Sequence, residues 1–510
     1  MAGSGASFDT AKDGTKRVPS ELLLHGFQRF AMNSWAGGVL LILATVAALV
    51  WANFGSYEWY DYIFNKMPLK FSFGDWYLPH IYSWGLFIND ALMALFFLFV
   101  GLEIKREIVM GELRSLKKAS LPIAAALGGM AVPAAIYVAI NASMTATNAE
   151  GEVVSTMNGW GVPMATDIAF ALGILMLLGK RAPLSLKVFL TSLAIVDDLG
   201  ALAVIALFYT EELKTNFLWL SAGAVAFLFV LNLLRFRHPL FYIVPGIALW
   251  VFVLESGVHA TIAGVLLAAT IPASARVDSK RFITATRDAV DYFEDEGKHG
   301  ATPEQSSAQR AAGYAIRENV QQVIPPLHRM EHALAGWCAF FIIPVFALAN
   351  AGLLIQGDLA KMATDPVTMG VFFGLSIGKP IGVVLFCVVA VKIGVASLPL
   401  GVSWRHITGA GCLSGIGFTM ALFIANLAFK NDTLHLDASK IGILSASLIS
   451  TIAGVSILLT CKPEQDNSNT DTDDASDTGS DAGSGSGSSP DGGIRQVPVG
   501  GPNEPISAAG

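Results

Sequence analysis

The stretch "SLAIVDDLGALAVIAL", residues 192–207, sets two adjacent aspartates, Asp197 and Asp198, in a run otherwise built from Ser, Leu, Ala, Ile, Val and Gly. With its flanks it extends over residues 184–209, more than the roughly 20 residues a membrane-crossing helix needs. A carboxylate at the centre of a bilayer costs at least about 2.5–3.5 kcal/mol on insertion scales, so ionisable groups held there are read first as functional. Adjacent helical positions lie about 100° apart. The two carboxylates therefore cannot both point at one spot as a catalytic dyad would, and one can face a water-filled cavity while the other faces a neighbouring helix.

The rest of the chain fits a membrane reading. Of its 510 residues 53% are hydrophobic and only 14% charged, against about a quarter charged in soluble domains. The formal charge of −7 belongs to the end of the chain, where residues 463–510 hold nine acids and Arg495 as the only base. No basic surplus is left in the body to suggest a nucleic-acid partner. Cys338, Cys387, Cys412 and Cys461 fall in or at the end of apolar runs without Cys-x-x-Cys spacing, which reads as buried thiols rather than a zinc site or a disulfide frame. The first thirty residues are polar and basic and carry no removable signal pattern.

Twelve apolar segments are long enough to cross: 35–54, 84–104, 119–140, 161–179, 184–209, 215–234, 239–256, 257–273, 330–355, 367–392, 407–429 and 439–461. With the N-terminus inside, cytoplasmic segments hold 25 Lys and Arg and outer loops 6, the asymmetry expected of the positive-inside rule. Both termini are then cytoplasmic. The expected organisation is a cytoplasmic segment over 1–30, a transmembrane domain over 31–462, and a disordered acidic tail over 463–510. Residues 55–83, aromatic and alternating at "LKFSF", read either as an outer hairpin or as an interfacial aromatic belt. Residues 274–329 read as a charged cytoplasmic loop with a solvated surface helix.

Four charges stand inside the membrane: Asp167 in "PMATDIAFALG", Asp197, Asp198, and Lys379 in "GLSIGKPIGVV". Three acids and one base leave a negative cavity suited to a cation. Lys379 is the natural partner for Asp197, since an ammonium offsets part of the desolvation of a buried carboxylate. The alternative is that such charges only lock helices together. Gly161 and Pro163 interrupt the fourth span, and Gly411, Gly415 and Gly417 the eleventh. Free backbone groups at membrane depth are tolerated only where protein or water receives them, and interruptions in corresponding halves point to a transporter site. The fourth span is the middle of spans three to five and the eleventh the middle of ten to twelve; the two triplets enter from opposite sides.

Over residues 25–461 the chain resembles the NhaA sodium/proton antiporters, a family that is itself a type case of inverted-repeat transporters. The matching motifs are "INDALMALFFLFVGLEIKRE", "ATDIAFALG", "AIVDDLGALAVIA", "GVHATIAGV", "FALANAG", "GKPIG" and "GIGFTMALFIA". The resemblance implies an all-α polytopic membrane protein with twelve transmembrane helices, inverted-topology repeats and two discontinuous helices, the fourth and the eleventh. It implies Asp198 as the principal sodium and proton carboxylate, Asp197 as a neighbour that exchanges partners, and Thr166 as an oxygen ligand. Asp167 and Lys379 are implied to balance the ends of the broken helices, in keeping with helix dipoles.

The activity implied is electrogenic, pH-regulated exchange of sodium or lithium for protons in the bacterial inner membrane, with no enzymatic step and no cofactor. Metal and proton compete for one site, because desolvation favours a neutral or a metal-loaded carboxylate. For pH regulation the resemblance points to Glu103, Glu107, Arg329, Glu331 and His332, each of which reads equally as a charged helix end in water. His328 and Ala335 depart from the family pattern, so the pH threshold is expected to differ. His259 reads chiefly as a helix-end histidine. Asn89 and Asp90 read either as a cap or as lining of the outer entrance. By resemblance, the outer hairpin implies a homodimer within membrane lipid. A sodium-coupled solute symporter remains a rival, as does an intramembrane aspartyl protease. The protease would need Asp167 and Asp198 to converge, and it leaves Lys379 unexplained.

Overall fold

A computed structural model describes residues 36–461, apart from 70–71, 74–75, 78–82, 143–145, 148–152, 155, 211–212, 275–278, 298–305, 355–358 and 431. The expectations for segments 1–30 and 463–510 lie outside the described residues. The protein is a helical membrane protein. Among the described residues, nine helices are long and apolar enough to cross a bilayer, and ten if one bent pair counts as a single span. In chain order the membrane helices begin with α1 (Ala36–Phe54), α2 (Trp84–Val109) and α3 (Leu116–Asn141). A 3-10 segment, Thr156–Met164, leads into α4 (Ile168–Leu177), followed by α5 (Leu184–Phe208) and α6 (Thr215–Leu233). Two shorter apolar helices come next, α7 (Leu240–Glu255) and α8 (Thr261–Thr270).

Two polar helices, α9 (Ser279–Gly297) and α10 (Ser307–Val323), then pack on one another. One surface helix was expected here and there are two. The second is started by Ser306, whose hydroxyl accepts from Gln309 N at 3.2 Å. The membrane part ends with α11 (Pro326–Asn350), α12 (Pro366–Lys392), the bent pair α13 (Trp404–Ser414) and α14 (Phe418–Ala428), and α15 (Thr433–Leu459). The last helix starts six residues earlier than hydropathy suggests, so Lys440 lies about two turns inside it rather than at its edge. Its ammonium reaches the Gly352 carbonyl at 3.2 Å and the Asp437 carboxylate at 3.2 Å.

Between α1 and α2, Ser72 pairs with Tyr77 and Phe73 with Trp76 in an antiparallel ladder. For these four residues the hairpin, not the aromatic belt, is the observed reading. A second small ladder, Ala146–Thr147 with Val153–Val154, was not foreseen.

Close backbone approach sets the frame of the site. A Cβ on Gly128 of α3 would lie 2.2 Å from the Gly382 carbonyl of α12, and one on Gly382 would lie 2.1 Å from that of Gly128. The two helices therefore touch backbone to backbone, as small residues allow between membrane helices. On α5 a Cβ at Gly200 would meet the Met130 sulfur at 2.2 Å. α3 is thus wedged between the helix carrying the two aspartates and the helix carrying Lys379. Pro122 and Pro133 lie inside α3, where prolines occur more often than in soluble helices.

The candidate ion site at two broken helices

The two interruptions meet. Residues 165–167 are non-helical between the 3-10 segment and α4, and residues 415–417 separate α13 from α14, which bend by 43°. The Asp167 N–H donates to the Ile416 carbonyl at 2.7 Å. A Cβ on Gly417 would lie 3.2 Å from the Ala165 carbonyl. Each break supplies partners for the backbone groups that the other frees.

Asp167 is buried at the start of two helices. One carboxylate oxygen accepts from Phe170 N at 3.0 Å, capping α4. The other accepts from Thr419 N at 3.1 Å and from Thr419 Oγ1 at 2.6 Å, in the first turn of α14. A carboxylate against two helix N-termini is the favourable sense of the dipole interaction. Lys379 serves one of the opposite ends. Its ammonium, fully buried, donates to the Met164 carbonyl, where the 3-10 segment stops.

Lys379 also pairs with Asp197, Nζ to Oδ2, at 2.7 Å, and neither side chain is exposed. Thr166 Oγ1 lies 2.6 Å from the same Asp197 oxygen and 3.0 Å from the Ser414 carbonyl at the end of α13, two acceptors for one hydroxyl proton. Asp198 differs. Both its oxygens are buried with no hydrogen-bond partner among the described residues, and Asp197 Oδ1 is likewise unbonded. Buried polar groups are nearly always bonded, and an unpaired buried charge is costly. A carboxylate so placed is suited to hold a proton or a hard cation that takes oxygen ligands.

Of the other predicted residues, Glu103, Glu107 and Glu331 form a second cluster, and Arg329, His332 and His259 lie apart from it. Arg106 on α2 contacts Glu331 on α11 directly, and lies 3.1 Å from Glu107 and 3.7 Å from Glu103. His328 Nδ1 is 3.6 Å from the other Glu331 oxygen. Arg329 is half-buried beside a cleft shared with Arg237 and Glu318. His332 is exposed, outside the Arg106 cluster. His259 precedes α8, 3.1 Å from the Thr261 hydroxyl, with its ring edge-on to Phe423 at 5.3 Å.

The cap of α2 is Ser83, whose hydroxyl accepts from Leu86 N at 3.2 Å. The capping role offered for Asn89 and Asp90 is thereby corrected, since both sit in a π-turn, Ile88–Leu92, one turn into the helix. Sequence reading missed Thr419, Arg106 and Lys105. Thr419 follows the Gly415–Gly417 break as a cap-forming residue would, and Arg106 stands three residues after Glu103. Lys105 donates to the Ala269 carbonyl at 2.7 Å and to that of Ile271, closing the C-terminal end of α8.

Residues 28–458 match the sequence family described as Na+/H+ antiporter 1. The chain is 48% identical over 447 residues to the Na(+)/H(+) antiporter NhaA of Oleidesulfovibrio alaskensis, covering 87% of this chain and 96% of that protein. It is similar to the Na(+)/H(+) antiporter NhaA of Koribacter versatilis, at 46% identity over 87% of this chain and 93% of the relative. The Na(+)/H(+) antiporter NhaA of Helicobacter pylori is 44% identical over 84% of this chain and 93% of its own length.

Proposed function

The chain belongs to the Na+/H+ antiporter 1 family and is a sodium/proton antiporter, and from that premise we propose that exchange runs through one site centred on Asp198. The observation that carries this reading is the pair of buried, unpartnered oxygens on Asp198 beside the Lys379–Asp197–Thr166 chain. Sodium, or lithium, would be held by the Asp198 carboxylate, the unbonded oxygen of Asp197 and the Thr166 hydroxyl. A proton on Asp198 removes the charge that binds the metal, and the metal displaces the proton. If only a loaded site reorients, the two gradients are coupled without any covalent step. Asp167, Lys379 and Thr166 together hold the four facing helix ends in register.

The cycle is electrogenic in this reading, with the second proton carried by the Asp197–Lys379 pair, which titrates as a unit. Regulation by pH is assigned to the Arg106 cluster with Glu103, Glu107 and Glu331, with Arg329, His332 and His259 as outlying members. The architecture proposed is twelve spans: the nine long helices, the α13/α14 pair, and α7 with α8. They form two inverted triplets, one around α4 and one around α13/α14, within a transport domain over 31–462. Both termini are cytoplasmic, the membrane is the bacterial inner membrane, and a homodimer forms through the 55–83 hairpin on the outer face. A protease dyad of Asp167 with Asp198 is disfavoured, because both Asp167 oxygens are already taken by the starts of α4 and α14.

The test is a fluorescent pH-gradient assay in inside-out vesicles from a host lacking its own antiporters. Sodium or lithium should collapse the gradient and potassium should not, while Asp198→Asn should give no response. Wild-type exchange by Asp198→Asn would remove that residue from the ion site.

A further inference from the structure

Three asparagines from three helices meet inside the membrane part, away from the ion site. The Asn350 amide of α11 donates to Asn89 Oδ1 of α2 at 2.9 Å and to the Phe346 carbonyl at 2.9 Å. Its oxygen accepts from Asn426 of α14 at 3.0 Å and from Asn89 at 3.3 Å. With two donors and two acceptor positions filled, Asn350 is saturated. Asn426 also donates to the Leu422 carbonyl of its own helix at 2.9 Å.

Their position along α14 gives the cluster its meaning. Thr419, which holds Asp167, lies at site level. Phe423 follows four residues later, about 6 Å along the axis at 1.5 Å per residue, and Asn426 lies about 10 Å along. Phe423 is fully buried, its ring 5.7 Å from that of Phe97 on α2 and 6.2 Å from that of Phe346 on α11. From the site toward the end of α14 that shares a face with the hairpin, an aromatic layer comes first and an amide layer second.

Both layers cross the same seam. α14 packs mainly on the Thr156–Met164 segment and on α15, whereas α2 packs on α8, α11 on α1, and α11 and α14 touch only thinly. The bonds from Asn350 to Asn426 thus join the group of helices that carries the site to the group that surrounds it.

We propose that Asn89, Asn350 and Asn426 form a latch that closes the hairpin-side path to Asp198 in this conformation and parts when the site turns to that face. The proposal rests on the antiport reading. Amides suit the task. They bond specifically when the seam is shut, water replaces each bond when it opens, and they carry no charge to trap the passing cation or to respond to pH.

The first test places a reversible cross-link over the seam. Asn350→Cys with Asn426→Cys is made in a chain whose four native cysteines are serine, and sodium-driven exchange is measured after oxidation and again after reduction. Exchange should fall at least ten-fold when cross-linked and return on reduction. Full exchange by the cross-linked protein would overturn the latch. The reduced protein is the internal control. If the unmodified chain itself shows no exchange, the antiport reading fails instead.

A second test reads the path directly, in case the double variant is inactive. A cysteine at Phe97→Cys should react several-fold faster with a membrane-impermeant maleimide added on the hairpin side once Asn426→Leu is introduced. Asn426→Gln should leave the rate near that of the parent. An unchanged rate in the Asn426→Leu chain would mean that the amides only glue helices together.

Discussion

Replacing Lys379 by Met is the sharpest perturbation the site allows. Met keeps most of the stem volume and removes the ammonium that lies 2.7 Å from Asp197, both side chains being fully buried. The cost follows from what remains. Asp197 would keep one bond, from Thr166, and would otherwise be a charge left in the protein interior, while the Met164 carbonyl would lose its cation. Breaking a buried pair from one side costs about 3–5 kcal/mol, whereas neutralising both partners is often harmless or stabilising. Lys379→Met alone should therefore be strongly destabilised, and adding Asp197→Asn should recover most of the loss. The assay is thermal unfolding of the purified protein in detergent, at one fixed pH well above the carboxylate range, for the parent, both single variants and the double. The reasoning is refuted if Lys379→Met costs no more than the roughly 0–1 kcal/mol of a surface ion pair, or if the double variant is less stable than Lys379→Met.

Two further outcomes follow from single contacts. Thr419→Val removes the hydroxyl bond to Asp167 and should cost about 1.5–3 kcal/mol, the range for a hydrogen bond to a charged group; Thr419→Ser should keep parental thermal stability, and equal losses in the two would show that packing, not the hydroxyl, matters. At the start of α13, His406 takes the place usually held by Glu or Gln in a capping box, its Nδ1 accepting from Ser403 N at 3.0 Å. His406→Gln should preserve melting behaviour in detergent and His406→Ala should lose about 1 kcal/mol; identical melting of the two would discount the cap.

Membrane helices were legible because a bilayer demands long apolar runs: among the described residues nine helices, ten with the bent pair, are long and apolar enough to cross, and the segments read over 239–256 and 257–273 hold only the shorter α7 and α8. Gly415 and Gly417 do lie in the bend between α13 and α14, whereas Gly411 is helical, and Gly161 and Pro163 lie in the 3-10 segment just before residues 165–167. What was hidden is whatever depends on partners distant in sequence. Thr419 meets Asp167 across 252 positions and Asn350 meets Asn89 across 261, so no local pattern could announce either bond. Arg106 was passed over for a different reason. It reads as an ordinary positive charge at a helix end until α11 brings Glu331 against it. The second helix of the 274–329 loop was missed because the apolar positions of α10 are mostly small alanines, and its amphipathic pattern makes sense only against α9.

The doubled aspartate is best understood through the charge of the whole site. Each helix terminus carries about half a unit charge, and the crossing breaks bring together two starts, at α4 and α14, and two ends, at Met164 and Ser414. These four contributions cancel, so the load is set by the side chains. With Asp167, Asp197 and Asp198 ionised and Lys379 protonated, the buried site holds two excess negative charges. Two protons neutralise it, whereas one sodium ion leaves it one charge short. A site of this composition thus moves different net charge in its two loaded forms, in accord with the electrogenic cycle proposed above. The adjacency of the two acids matters for the same reason. The 100° step between neighbours on α5 lets Lys379 and Thr166 hold Asp197 while Asp198 keeps both oxygens unbonded. A single aspartate at this level would leave, with Asp167 and Lys379, one excess negative charge, which one proton or one sodium ion would neutralise alike, so the two loaded forms would not differ in charge.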